Sequence, residues 1–329
     1  MIRSIIAFTL MMVLGMVSVW GGMNYHLLMK KVVVHEETVF ELNKGQGLDQ
    51  VINSLHAQKI GINRFWFKLF AYHRKIDRRL KAGEYVFAPG ATSNDILLLF
   101  ASGKTRQYSI TFPEGWAFKQ VFQAIQDNPH LQHTLSEVEF KDVMAHIGSD
   151  KTHPEGLFFP DTYFFEKNTT DVELLRMAHQ RMEKILAEEW QNRDQELPLH
   201  SPYQALILAS IVEKETAARE ERKQIAGVFT RRLQKGMLLQ TDPTVIYGMG
   251  DDYHGDIRHK DLREPTPYNT YIIDGLPPTP IAMPGKAAIN AALHPEPGES
   301  LYFVSRGNGH HAFSATLAEH EKYVDKYQR

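Results

Sequence analysis

The chain has 329 residues, enough for two or more domains at the usual size of about 100–200 residues each. Its formal net charge is −2, so no strong positive field marks it as a nucleic-acid-binding protein. It contains no cysteine, which excludes disulfides and cysteine-ligated zinc or iron–sulfur centres but leaves the cellular compartment open.

The chain begins with an apolar segment. Residues 4–23 carry no charged side chain, and their length is about that of a helix crossing the hydrocarbon core of a bilayer. We predict a transmembrane anchor over residues 4–23, preceded by a cytoplasmic tail of residues 1–3 and followed by a juxtamembrane connector over residues 24–36.

The charges beside this segment bear on its orientation. Arg3 favours a cytoplasmic N-terminus, although Lys30 and Lys31 beyond the other end weaken the difference. The alternative is a cleaved signal peptide. The apolar run is long for a signal peptide, however, and residues 17–22 offer no clear small-x-small cleavage site. An uncleaved anchor is therefore favoured, with the rest of the chain outside the cytoplasm.

The region 37–150 repeats a strand–turn–helix pattern. In each copy an alternating strand pattern ends in a turn containing glycine, and a helix with one apolar face follows. The first predicted strand spans residues 38–42. The apolar helical residues are Leu48, Val51, Ile52 and Leu55 in the first copy, Ile96, Leu97 and Phe100 in a looser second, and Phe118, Val121, Phe122 and Ile125 in the third. The pattern predicts one or two small α+β modules.

An aromatic helix lies between these copies. Residues 63–72 are rich in Phe, Trp and Tyr, and a basic run follows at residues 73–81. Aromatic and basic side chains together suit sugars or anionic lipid headgroups. The simpler alternative, which we favour on sequence alone, is a helix with one face in the core and the other in water.

The polar segment 129–152 is interpreted as the join to a second domain, residues 151–329. Helices are predicted at 171–192, 203–217 and 220–235, and Gly236 ends the last of them. Residues 237–300 are rich in Pro, Gly, Tyr, Asn and Thr and predict a binding surface built from ordered loops. Two short strands and a C-terminal helix follow, so the fold class is α+β.

Glu215 occupies an unusual position in the predicted helix 203–217. At about 100° per residue, Glu215 falls near the centre of the apolar arc formed by Leu208, Ile211 and Val212, whereas Glu213 points toward the polar side. A buried carboxyl resists ionisation, which is the property that a general acid needs near neutral pH. The alternatives are a helix end in solvent, or a buried ion pair with a neighbouring cation.

The loop-rich region carries candidate ligand-binding side chains. Aromatic rings suit the apolar faces of sugars, and amide, hydroxyl and carboxylate groups suit their hydroxyls. The alternative is that these side chains bond only to their own backbone. The candidates are Gln240, Asp242, Thr244, Tyr247, Tyr268 and Asn269.

No metal or nucleotide motif is present in the sequence. The sixteen histidines form no H-E-x-x-H or H-x-H array, and no dinucleotide, P-loop or serine-hydrolase signature occurs. We therefore predict no metal site and no cofactor.

Several longer sequence motifs lie along the chain. The central ones are ASIVEKET at 209–216, LQTDPTVIYG at 239–248, YNTY at 268–271 and GLPP at 275–278. Further motifs are the N-terminal anchor, LKAGEY at 80–85, EGLFFPDTY at 155–163 and LYFV at 301–304. Together, along essentially the whole chain, these motifs resemble a known family, the endolytic murein transglycosylases of the YceG/MltG type.

The resemblance implies an enzyme of the bacterial inner membrane with LysM-like α+β modules at 37–150 and a mixed α/β catalytic domain with long loops at 151–329. It implies cleavage of the MurNAc-β-1,4-GlcNAc bond within glycan strands, leaving 1,6-anhydro-MurNAc ends and terminating nascent strands. Glu215 corresponds to the family's catalytic glutamate. The expected partners are glycan strands, the inner membrane and peptidoglycan synthases, with no nucleic acid.

Two alternatives remain at this stage. A hydrolytic muramidase would use Asp242 as a second carboxylate, because ordinary glycosidases pair two acids. A non-catalytic glycan-binding scaffold would instead keep Glu215 as a structural core acid.

Overall fold

The N-terminal apolar segment forms one long helix. In the computed structural model, which describes residues 2–328, α1 runs over Ile2–Asn24 and continues as a π-helical turn over Tyr25–Met29. Within the described chain, Ile5–Met29 is the one helical stretch long and apolar enough to cross a membrane. The first residue of the predicted tail 1–3 lies outside the described residues.

The first of two compact units comprises Met1–Tyr108 and Phe165–Lys167. After α1 it contains β1 (Thr38–Leu42), α2 (Leu48–Ala57), α3 (Arg64–His73), β2 (Gly83–Phe87) and α4 (Ser93–Ser102), and β3 (Gln107–Thr111) begins in it. Strands β1 and β2 pair antiparallel with Phe40 opposite Tyr85. The strand predicted at 38–42 and the helix predicted at 63–72 are confirmed.

The second unit comprises Ser109–Phe164 and Asn168–Arg329. Its elements, including the shared strand β4, are α5 (Phe118–Gln126), α6 (Val143–His146), β4 (Thr162–Glu166), α7 (Asp171–Gln191), α8 (Pro202–Glu215), α9 (Arg222–Gln234), α10 (Asp242–Met249), α11 (Lys286–Leu293), β5 (Tyr302–Ser305), β6 (His311–Ser314) and α12 (Leu317–Tyr327). Short 3-10 turns lie at Phe140–Asp142, Arg219–Glu221, Gly250–Asp252 and Asp261–Arg263. Strand β3 pairs with β4, and β5 pairs antiparallel with β6.

The three predicted strand–turn–helix copies are confirmed as local structures. The apolar residues assigned to each helical face are buried in α2, α4 and α5. The turns before these helices contain Gly45, Gly90 and Gly115, which have φ of 85°, 87° and 77°. Residues with a side chain rarely adopt this left-handed conformation. Glycine therefore permits each strand to turn back into its helix. The third copy places α5 in the second unit, and the predicted boundaries of the domains stay a prediction.

The region 237–300 differs from the predicted loops, because two helices lie in it. Helix α11 has the sequence KAAINAAL, and its Ala288, Ala291 and Ala292 are buried as it packs on α8 and α9. Alanine gives little hydrophobic periodicity, so the pattern at this position was weak. Small side chains nevertheless allow two helices to approach closely.

Helix α8 is buried on every side. Its N-terminus is capped by Ser201, whose hydroxyl oxygen accepts the Gln204 N–H at 3.2 Å, and Pro202 occupies the first turn. All eight residues from Ala205 to Val212 are then buried. A helix buried all round has no single apolar arc. The phase argument therefore does not by itself separate Glu213 from Glu215.

Glu213 is the residue for which the predicted orientation is wrong. Its side chain is 5% exposed, and its Oε1 lies 2.7 Å from Nη2 of Arg222, which is 6% exposed. Its Oε2 accepts the Gly285 N–H at 3.0 Å. Arg222 and Gly285 come from α9 and the start of α11, which cover the face that periodicity assigned to solvent. The distribution of polar residues around one helix does not predict which segments of the chain pack against it.

The buried ion pair leads to a stability prediction. We expect Arg222→Met to lower the free energy of unfolding by about 3–5 kcal/mol, because it leaves the Glu213 carboxyl buried without its cation. Lys119→Met is the matched control, since its pair with Asp251 is exposed and removing it costs about 0–1 kcal/mol. Denaturant unfolding measures both. The double variant R222M/E213Q should be more stable than R222M alone, and equal costs for R222M and K119M would contradict the buried-pair interpretation.

Gly156 provides a second test of packing. It has a φ of +78°, and a Cβ atom added to it would lie 2.3 Å from Cβ of Pro280. Gly148 has a similar φ of +82° with open space around it. Both alanine variants strain the backbone, but only Gly156→Ala adds a clash, which costs roughly 1–3 kcal/mol more. Thermal unfolding of the two variants should therefore show the lower Tm for G156A, and equal values would disprove the clash.

Candidate active site

Glu215 is the last residue of α8. The next residue, Thr216, is extended with φ −144° and ψ 136°, so the helix cannot continue beyond Glu215. Oε1 of Glu215 accepts a short hydrogen bond from the Thr241 hydroxyl. Within the described part of the chain Glu215 forms no ion pair with Lys214, whose Nζ instead donates to the Gly115 carbonyl at 3.3 Å. The carboxyl therefore has a hydroxyl partner and no cation.

This environment raises the pKa of Glu215 to about 7. Desolvation by burial is the largest cause, and the negative charge of Asp242 adds to it, whereas the hydrogen bond from Thr241 favours the ionised form and opposes it. Part of the Glu215 surface remains accessible to solvent. A half-protonated carboxyl at neutral pH that a ligand can reach has the properties of a general acid.

A short buried network positions Thr241. Its N–H donates to Oγ1 of Thr270 at 3.0 Å, and the Thr244 hydroxyl donates to its carbonyl at 2.7 Å. Just before it, Gln240 has a left-handed φ of 49° and donates its N–H to the Thr270 carbonyl at 3.0 Å. These bonds join the start of α10 to the segment around Thr270 and hold the Thr241 hydroxyl at the end of α8.

Asp242 lies beside this network. It is exposed, it is the first residue of α10, and its Oδ1 accepts the Tyr271 hydroxyl at 2.6 Å. Burial and the neighbouring Asp242 carboxylate raise the pKa of Tyr271, so its hydroxyl keeps its proton. Asp242 is thus held as an exposed anion close enough to Glu215 to affect its pKa.

The other predicted ligand residues fall into two groups. Thr244 and Asn269 are fully buried. Asn269 donates to the carbonyls of Glu264 at 2.9 Å and Asp261 at 3.2 Å, so both side chains support the loops from inside. The geometry gives Thr244 and Asn269 a positioning role. Gln240 and Asp242 are exposed, and the substrate contacts expected of them stay a prediction.

Tyr247 and Tyr268 line a cleft of about 810 Å³, and Glu215 is not among the residues that line it. Their rings meet edge to face with centroids 4.8 Å apart, and Lys214 and Glu155 line the same cleft. Oε2 of Glu155 accepts the Tyr247 hydroxyl at 3.1 Å, and its Oε1 accepts the Phe118 N–H at 3.0 Å. Burial raises the pKa of Glu155 to about 7. Burial also raises the pKa of Glu213, but Glu155 and Glu215 are the two of these carboxyls whose pKa is raised to about 7.

Thr241 and Glu155 were not among the predicted site residues. Thr241 stands between two of them, Gln240 and Asp242, and a hydroxyl next to a predicted ligand was a usable signal. Glu155 precedes the run Leu157–Phe159, which is entirely buried. Charged residues are rarely buried without a partner, so the sequence alone favoured a surface position for this acid and gave no clear signal of its burial.

Histidines do not gather into a metal site in the described chain. No group of three or more His, Asp or Glu side chains among residues 2–328 is arranged to hold an ion. His310 and His311 instead contact Glu221, with Nδ1–Oε distances of 3.1 and 2.8 Å. The absence of a metal from the reaction stays a prediction.

Comparison with known proteins gives a consistent result. Residues 40–326 match the model of the YceG-like family. A Bacillus subtilis (strain 168) protein named endolytic murein transglycosylase is 34% identical over 280 residues, covering 79% of this chain and 77% of the relative. A Streptococcus pneumoniae (strain D39) protein of the same name is 25% identical over 295 residues, and the match spans 80% of this chain but about half, 53%, of that protein.

A solved structure agrees with these sequence matches. The crystal structure of a yceG-like protein from Listeria monocytogenes superposes with a TM-score of 0.56 at 30% identity, covering 87% of this chain and 98% of the other. The family match extends over most of the chain, from β1 to α12. This protein is therefore a member of the YceG-like family.

Proposed function

We propose that this chain is a peptidoglycan lytic transglycosylase in which Glu215 is the general acid. The observation that carries the proposal is the Glu215 carboxyl at the end of α8, with a pKa of about 7, a Thr241 hydroxyl as its partner and part of its surface accessible. The curated relatives named above are endolytic murein transglycosylases, which supports the same reaction class.

The proposed reaction needs one protein acid. Protonated Glu215 gives its proton to the oxygen of the MurNAc-β-1,4-GlcNAc bond, the C1–O bond breaks, and an oxocarbenium-like species forms on MurNAc with assistance from its N-acetyl carbonyl. The Glu215 carboxylate then accepts the proton of the C6 hydroxyl of the same sugar, whose oxygen bonds to C1. The product has a 1,6-anhydro end, and the reaction consumes no water. Because the nucleophile belongs to the substrate, the second step gains a large effective concentration.

The neighbouring residues have supporting roles in this proposal. The Asp242 anion disfavours a second negative charge at Glu215 and so keeps the acid protonated, and it would also stabilise positive charge developing on the sugar. In this proposal the exposed Gln240 and Asp242 bond sugar hydroxyls, and a longer ligand that also enters the cleft would meet the rings of Tyr247 and Tyr268. Thr244 and Asn269 hold the loops on which these groups are carried.

A hydrolytic muramidase is the second candidate, because Asp242 is close enough to influence Glu215. In that enzyme Asp242 would be the second carboxylate and water the final nucleophile, leaving reducing ends. A glycan-binding scaffold is a third possibility and would show no cleavage at all.

We also propose the location and organisation of the protein. Residues 4–23 anchor it in the inner membrane with a cytoplasmic N-terminus, the region 37–150 is LysM-like, and the catalytic domain 151–329 lies in the periplasm. The exposed apolar helix α1 supports the anchor, and the order β1–α2–α3–β2 supports a small glycan-binding module. Cleavage within nascent strands would end their elongation and would bring the enzyme into contact with peptidoglycan synthases.

Replacement of the acid tests the reaction. We expect Glu215→Gln to lower the rate of glycan cleavage by about 10²–10⁴-fold, because the amide cannot protonate the leaving oxygen. Glu220→Gln, at an exposed position, is the matched control and should keep the wild-type rate. Mass spectrometry of fragments released from purified sacculi should show 1,6-anhydro ends with wild type. Reducing ends alone would favour the muramidase, and full activity of E215Q would exclude Glu215 as the acid.

The pH dependence of cleavage tests the cause of the raised pKa. A general acid is active while protonated, so the rate of wild type should fall as the pH rises through about 7. Thr241→Val removes a hydrogen bond that favours the ionised form and should move this limb to higher pH. Asp242→Asn removes a negative charge and should move it to lower pH. Shifts of the same sign in both variants would contradict these opposite effects.

A further inference from the structure

Helix α3 exposes large apolar side chains along one face. Phe65, Leu69 and Tyr72 follow each other at helical spacing and are 64%, 46% and 50% exposed. The opposite face is buried in the first unit through Trp66 and Phe67. Sequence analysis favoured a solvated outer face for this helix, but the face is aromatic and aliphatic at each of these three positions. An exposed apolar stripe of this kind indicates a surface that contacts a partner protein or a membrane.

Two ring contacts place α3 beside the outer end of α1. The rings of Trp20 and Trp66 are 5.6 Å apart, and those of Tyr25 and Phe70 are 5.0 Å apart. Both contacts lie within the first unit. Tyr25 is roughly 7 Å farther along the helix axis than Trp20, at about 1.5 Å per residue. The N-terminal end of α3 therefore lies beside Trp20, nearer the middle of α1. Its C-terminal end lies beside Tyr25, nearer the C-terminal end of α1.

The contact height on α1 corresponds to the membrane–water interface. Trp and Tyr are enriched at the ends of membrane-spanning helices because their rings are apolar and their N–H and O–H groups bind water. Trp20 lies three residues before the end of the proposed anchor 4–23, and Tyr25 lies two residues beyond that end. An apolar face held beside this part of α1 therefore meets the headgroup region of the bilayer.

The charges around α3 fit a lipid surface. The basic run that follows the helix leaves Lys75, Arg78 and Arg79 exposed. Arg64 and Lys68 lie along α3 itself and share Asp49, at 3.8 Å from Arg64 Nη2 and 2.7 Å from Lys68 Nζ, so together they leave one net positive charge. Exposed cations next to an apolar face attract the anionic headgroups of a bilayer.

From these observations we propose that α3 runs beside α1 into the outer headgroup region of the bilayer, with Phe65 deepest, and forms a second membrane attachment for the first unit. Phe65, Leu69 and Tyr72 enter the lipid while the cations bind phosphate groups. The inference rests on the proposed anchor, because α1 sets the height of α3. The attachment would fix the orientation of the first unit on the membrane instead of leaving it on a flexible stalk.

The absence of cysteine makes a direct test possible, since every introduced cysteine is unique. The full-length protein is placed in nanodiscs of phosphatidylethanolamine and phosphatidylglycerol, with a nitroxide at F65C, L69C or Y72C. Collision rates with oxygen, which concentrates in lipid, and with a water-soluble nickel chelate give the depth of each label. Val13→Cys on α1 is the lipid control, and Leu98→Cys on α4, also 50% exposed, is the water control.

We expect the three α3 labels to collide mainly with oxygen, with F65C deeper than Y72C, while L98C collides mainly with nickel. Water-like values at all three α3 sites together with a lipid value at V13C would overturn the inference and leave the anchor intact. Water-like values at V13C as well would overturn the anchor itself. Low collision rates with both reagents at the α3 sites would indicate a protein contact, such as a second copy of the chain, and would also overturn the inference. Thermal unfolding of each labelled variant confirms that it is folded.

Discussion

The site depends on how α8 accommodates two carboxyls at the end of a helix whose residues from Ala205 to Val212 are all buried. A charge in a protein interior is costly unless it is paired. Glu213 has a full partner in Arg222 and a further donor in the Gly285 N–H. Glu215, two residues later, has the Thr241 hydroxyl as its one hydrogen-bond donor among the described residues and faces the charge of Asp242. Burial raises the pKa of both carboxyls, but Glu213 is paired with a cation in the core and Glu215 has a hydroxyl partner instead.

The surrounding loops are organised around the partner of that acid. Thr241 is held by Thr244 and Thr270, and Asn269 ties the second loop to Glu264 and Asp261. The polar residues in this region are therefore mostly hydrogen-bonded to one another or to the backbone. These hydrogen bonds offset the cost of burying the polar groups, and together they hold the Thr241 hydroxyl rigidly in place. Rigidity matters because a proton donor has to be aligned with a leaving oxygen to within a fraction of an ångström.

Two carboxyls with similarly raised pKa values raise the question of which one reacts. Glu155 receives hydrogen bonds from the Phe118 N–H, the Gly156 N–H and the Tyr247 hydroxyl, and it is 3% exposed. Each of these donors belongs to the protein, so they fix the carboxyl in place. Within residues 2–328, Glu215 has a single protein donor, and it keeps accessible surface. Free capacity for a ligand hydrogen bond, more than the pKa, favours Glu215 as the acid and leaves Glu155 as a support for the wall of the cleft.

The sequence by itself determined much of the local structure and which residue is the candidate acid. Glycine turns, apolar spacing and caps predicted β1, α2 to α5 and α7 to α9, because these signals act within a few residues of chain. The motif around Glu215 indicated the family and the acid. The sequence did not predict that Glu213 is buried against Arg222 or that residues 286–293 form the alanine-rich helix α11. It also did not predict that the Thr241 hydroxyl contacts Glu215 or that Glu155 lines a cleft. Only the tertiary structure decided these, because each depends on separate segments of the chain meeting in the core. Desolvation and pairing are properties of that contact and not of either segment alone.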